Sequence, residues 1–165
     1  MVKNEKDLVG IEVEIEQKKG SGFSELPNLL HWNRIEDGSL RNGAEYVLKV
    51  PLKGKLLWEA ICTLDSAMSA TKSVNLSVRC STHIHCDIRD LSHAELNKFI
   101  DLLIYFETDL INCNKRYDRT RSNFCLPIEM VHHYAVRRRG NHFLNKEHYE
   151  QWPKYTAINI KPVSY

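Results

Sequence analysis

No apolar run in the chain approaches the roughly 18 residues that a membrane-spanning helix needs, and the N-terminus lacks the long apolar stretch of a secretory signal. Neither a membrane partner nor an export leader is expected, and the reading is a cytoplasmic protein. A C-x-x-C pair is also missing. The five cysteines, Cys62, Cys80, Cys86, Cys113 and Cys125, are odd in number and widely scattered, which argues for reduced thiols and against a disulfide framework. Neither G-x4-GK[ST] nor G-x-G-x-x-G occurs, so no P-loop or dinucleotide fingerprint supports nucleotide binding. Strong charge of one sign is lacking as well. A net charge of +2 does not suggest a nucleic-acid binder. With no repeat, low-complexity tract or linker, residues 1–165 read as a single domain. At this length and 42% apolar content, roughly two thirds of the unfolded chain's surface can be buried on folding.

What the chain does have is alternation. In GIEVEIE, residues 10 to 16, Ile11, Val13 and Ile15 fall on one face of a strand and Glu12, Glu14 and Glu16 on the other. Three like charges on one face repel, so solvent, a basic partner or a cation must neutralise them. An ordinary solvated strand face is one answer. KKGSGFSELPN is a loop by composition, Trp32 reads as a core or wall residue, and Asp37-Gly38 marks a tight turn. GAEYVLKVPL, residues 43 to 52, reads as a second strand. Leu57, Ala60, Ile61, Leu64, Ala67 and Met68 then recur at helical spacing.

Residues 74 to 90 return to extended character. Here THIHCDI places His83, His85 and Asp87 on one face and Ile84, Cys86 and Ile88 on the other. A longer helix follows, with Ser92 and Glu95 spaced as a capping box and Leu96, Phe99, Ile100, Leu103 and Ile104 as its buried face. Beyond a polar loop at 116–124, Pro127 starts a short helix and YTAINIKPV reads as a strand. Arg137 to Arg139 read as a solvated helix end. The order predicts an α+β domain, an antiparallel or mixed sheet with helices on one face. On its other face Glu12, Glu14, Glu45 and His83 or His85 would form a divalent-metal site, carboxylates suiting hard Mg²⁺ and imidazole adding a softer ligand.

The ordered set GIEVE (10–14), W-x4-DGSL (32–40), GAE (43–45), HIHCD (83–87), RSNFC (121–125) and KY-x3-N (154–159) resembles the amidoligase family. Its fold is similar to the catalytic domain of glutamine synthetase and glutamate–cysteine ligase. The resemblance implies an ATP-dependent carboxylate–amine ligase: ATP phosphorylates a carboxylate, and an amine displaces phosphate from the acyl phosphate to give an amide. Members occur in bacteria and phage genomes beside peptide-modifying enzymes, which implies a peptide or cell-wall-like substrate. Carried over by position, Glu12, Glu14 and Glu45, with His83 and His85, hold Mg²⁺ or Mn²⁺. Asp37, Ser39, His83 and Asn159 would face nucleotide or substrate, and Arg121, with Glu12, Glu45 and His85, would take part in catalysis.

There are two departures. Ser81-Thr82 stand before HxH where the family usually has Gly, and nothing like the family's G-T-x-E-F-R follows Asn159 before Tyr165. The second departure leads to the expectation of an incomplete site: a fragment or truncated copy, a site completed by another chain or by a homo-oligomer, or a protein that has lost catalysis and serves as an assembly module. A metal-dependent hydrolase, with the same histidines and acids activating water, is the remaining alternative.

Overall fold

The computed structural model describes residues 7–18, 26–75, 77, 79–88 and 90–112. The chain divides into two compact units, residues 1–89 and 90–165. The first holds a four-stranded sheet and one helix: β1 (Val9–Glu16), β2 (Trp32–Ile35), β3 (Gly43–Leu48), α1 (Gly54–Ala70) and β4 (Thr82–Cys86). In the second, the described element is α2 (His93–Asn112). The architecture is α+β, and every strand pairing is antiparallel, in the order β2-β3-β1-β4.

The alternation of β1 does what a period of two requires. Ile11 and Ile15 join Ala44, Tyr46 and Leu48 of β3 and Trp32 of β2 in one buried cluster, with Val9 and Val13 packed against it. Helix α1 covers this face with the residues its 3.6-residue period selects, Ala60 and Leu64 buried and Leu57, Ile61 and Met68 against the cluster. Ala60 has no side chain beyond Cβ, so the helix backbone comes close enough for the Trp32 indole Nε1–H to donate to the Ala60 carbonyl at 3.1 Å. Trp32 is thus a core residue. Its buried N–H has the partner that burial of an indole demands.

The segment before β2 is pinned to the same core. Leu26 is buried, the Arg34 guanidinium donates to its carbonyl, and the Tyr46 hydroxyl donates to the Pro27 carbonyl at 2.8 Å. β2 itself lies in a stretch that the sequence reading treats as loop and turn. Its four residues pair with β3 as an edge strand, and Asn33 and Arg34 interrupt the apolar pattern that would announce it.

On β4, Thr82, Ile84 and Cys86 continue the apolar side of the sheet, yet Ile84 is 65% exposed. The core is therefore centred on β1, β2 and β3. Cys62 and Cys86 are exposed free thiols and Cys80 is a buried one.

In α2 the capping box forms in both directions. The Glu95 amide donates to Ser92 Oγ at 3.3 Å and the Ser92 amide donates to Glu95 Oε2 at 2.8 Å, which fills two of the donors that a helix start leaves open. The Ser92 hydroxyl, which donates to Glu95 Oε2 at 2.6 Å, and then the Ser92 amide hold the Glu95 carboxyl below its ordinary range. Leu96 is buried and Leu103 and Ile104 half-buried, whereas Leu102, Tyr105, Phe106 and Leu110 are exposed.

Candidate metal centre

The face of the sheet away from α1 carries the acids. Antiparallel pairing sets Glu14 opposite Glu45 and Glu12 opposite His83, with His85 two pairs along, opposite Gly10. Glu12, Glu14, Glu45, His83 and His85, chosen from three separate stretches of sequence, therefore share one face. Gly10 leaves room beside it: a Cβ there would meet only the His85 side chain, its Cβ first at 3.4 Å, and the imidazole leans back over the strand toward Glu12.

Each acid of ExExE meets a different neighbour. Glu12 sits between both imidazoles, Oε2 at 3.0 Å from His83 Nδ1 and Oε1 at 3.2 Å from His85 Nε2. Glu14 is buried, and its Oε2 accepts two bonds from Ser81, from the amide at 2.9 Å and from the hydroxyl at 2.5 Å. Glu16, 4% exposed, accepts the Arg41 amide at 2.7 Å. Burial of the second and third acids rules out the ordinary solvated face as the explanation for the run.

The loop between β2 and β3 adds a fourth carboxylate. Asp37 Oδ1 accepts the Ser39 amide at 2.7 Å, the Asx turn that the Asp-Gly pair leads one to expect. Ser39 serves through its backbone, since its carbonyl also accepts the Arg79 guanidinium at 3.2 Å. The loop returns to the sheet through Asn42, whose φ of 60° lies in the left-handed region, and Gly43, where a Cβ would collide with the Ile15 carbonyl. This tight return brings Asp37 beside the sheet.

Two overlapping groups of potential ligand atoms result. Glu12, Glu45 and His83 form one and Glu14, Asp37 and Glu45 the other, with the atoms of each group within 4.8 Å of one another. Glu45 belongs to both, and among the described residues no hydrogen bond or ion pair reaches its carboxylate. Partial burial pushes the Glu45 carboxyl up, and the charges of Glu12, Glu14 and Asp37 push it further. Glu12 goes the other way: burial raises it, but the His83 hydrogen bond and the His85 charge outweigh that and leave it below the usual range.

The Glu14, Asp37 and Glu45 group offers oxygen ligands alone, which suit a hard divalent cation such as Mg²⁺, whereas the Glu12 and Glu45 group adds the softer imidazole of His83. Asp87 lies exposed just beyond β4. Arg121 and Asn159, the 137–139 arginines and Cys125 lie outside the described residues. Sequence reasoning missed the roles of Ser81, noted there only as a departure from Gly before HxH, and of Arg79. It also grouped Glu16 with its neighbours, although Glu16 is bound to the chain's own backbone. Compared with protein-family models, with curated proteins and with solved structures, the chain matches none.

Proposed function

We propose that this sheet face binds divalent cations and that the domain is an ATP-dependent carboxylate–amine ligase of the glutamine synthetase-like kind, acting on a carboxylate and an amine that could belong to a peptide. The single observation carrying the reading is Glu45. It stands directly opposite Glu14, within ligand reach of Glu12, Asp37 and His83, and its charge is answered by no donor among the described residues. Such a cluster is costly alone and favourable around a cation, because the repulsion that raises Glu45 becomes attraction once positive charge sits between the acids.

Glu14, Asp37 and Glu45 would hold Mg²⁺ or Mn²⁺ on one side of Glu45, and Glu12 with Glu45 and His83 on the other. Bound there, the metal would supply Lewis-acid neutralisation of phosphoryl charge and a template for alignment. The chain's own part is to fix the carboxylates on a rigid sheet and to keep Glu12 ionised between two imidazoles. The motif order seen in the sequence supports the ligase chemistry, and the geometry supports the cation binding.

A metal-dependent hydrolase is the second reading, favoured by the presence of two imidazoles on the cation face, a donor type that suits Zn²⁺ or Mn²⁺. Calorimetric titration tests the shared step: Mg²⁺ or Mn²⁺ should bind with millimolar to micromolar affinity, about 4 to 8 kcal/mol, and Glu14→Ala should lose it. Release of ADP that requires both an added carboxylate and an added amine then separates ligase from hydrolase. Identical metal binding by the wild type and Glu14→Ala would end the proposal.

A further inference from the structure

Ser81, the residue before β4, is bound to Glu14 through three contacts. Its carbonyl accepts the Glu14 amide at 2.9 Å, while its own amide and hydroxyl both donate to Glu14 Oε2, at 2.9 and 2.5 Å. The backbone and the carboxylate of Glu14 are thus docked on one residue of the neighbouring chain segment. With Oε2 filled by two donors, Oε1 is the Glu14 oxygen with no donor among the described residues.

The same hydroxyl lies 2.9 Å from His83 Nε2. A serine hydroxyl has one proton and a carboxylate none, so a proton given to ionised Glu14 leaves Oγ as acceptor toward His83. The other ring nitrogen of His83 is 3.0 Å from Glu12. One hydroxyl therefore sits in a continuous chain from Glu14 through His83 to Glu12, touching a member of each candidate cation group.

We infer that Ser81 is a positioning residue for the cation site: it fixes the Glu14 carboxylate so that Oε1 faces Asp37 and Glu45, and holds the His83 ring in its place beside Glu12. This rests on the cation-binding reading of the face. Partners that orient a metal's ligands without touching the metal typically contribute 10- to 100-fold in affinity. The sequence resemblance gave no such role to this position, where the family usually carries Gly.

The test is Mn²⁺ titration of the full chain, read by the electron paramagnetic resonance of free Mn²⁺, with thermal melting of every variant. Ser81→Ala keeps the amide donor and loses the hydroxyl; it should weaken Mn²⁺ binding roughly 10- to 100-fold. Ser81→Thr, which restores a hydroxyl, should recover most of that loss. In a Glu14→Gln background the Ser81→Ala change should cost clearly less than in the wild type, because the part of its action that runs through the Glu14 carboxylate is already lost and only the part through His83 remains. Should Ser81→Ala fail to fold, Ser81→Cys, a much weaker donor of similar size, carries the same expectation. Wild-type affinity in the hydroxyl-free variants, or an equal loss in both backgrounds, overturns the role of Ser81 and leaves the cation site standing. No Mn²⁺ uptake by the wild type overturns the cation site itself, and the inference with it.

Discussion

Two carboxylates on one sheet face, Glu12 and Glu45, sit in opposite circumstances. Glu12 has an imidazole on each oxygen and is held below the usual carboxylate range despite its partial burial. Glu45, one strand away, is raised by burial and then by three acid neighbours. The difference teaches where the fold supplies its own positive or donating partner and where it leaves charge uncompensated. Repulsion between groups that evolution or chance could have spread apart marks the place where an external cation does the most good.

The change expected to have the largest effect is Glu45→Gln. It removes the one acid shared by both groups, so calorimetry should show divalent-cation affinity falling on the order of 100-fold, since affinity at oxygen sites follows ligand charge. The same variant without metal should melt no lower than the wild type at neutral pH, and up to about 1 kcal/mol more stable, because a like-charge pair directly across two strands has been removed. A clearly destabilised Glu45→Gln would mean that Glu45 has a structural partner.

The contrast should also appear in pH. Protons compete with cations for Glu45, whose folded pKa lies above the ordinary 4.5, so metal affinity should begin to fall at a pH above that value as the solution is acidified. For the metal-free protein the signs oppose. The stability tied to Glu45 is complete below its unfolded pKa and is lost as pH rises through its raised folded value. The part tied to Glu12 is present above the ordinary value and is lost as pH falls through its lowered one. Melting curves across the acid range, in the wild type and in Glu45→Gln, separate the two: the variant should lose the first dependence and keep the second.

The smallest expected effect belongs to the histidines. His85→Gln removes one partner of Glu12, and because both groups are partly exposed the loss should be about 0.2 to 1 kcal/mol, shrinking further in high salt. A loss well beyond that range, measured by denaturant unfolding, would mean that the Glu12 corner is as dependent on its partners as a buried ion pair.

Much of this was legible in the sequence because it follows from periods. The alternation of GIEVEIE and THIHCDI placed Glu12, Glu14, His83 and His85 on one face, and the helical spacing of Leu57, Ala60, Ile61 and Leu64 named the covering stripe. The capping box of α2 was visible because it is local. β2 was hidden because four residues with a polar middle make a strand only when Tyr46 and Leu48 lie alongside. The separate fates of Glu12, Glu14 and Glu16 were hidden for the same kind of reason: three identical side chains at equal spacing differ only in what the register and the 37–42 loop bring to them.

The bond between Glu16 and the Arg41 amide has a consequence for motion. That amide can exchange only when its bond to Glu16 breaks, so its hydrogen exchange measures the free energy of a local opening between the loop and the strand. Asp37 rides on the same loop, a few residues from the Asn42–Gly43 return. A cation that draws Asp37 toward Glu14 and Glu45 would make that opening rarer, and the Arg41 amide would report it by slower exchange, with no label and no substrate needed.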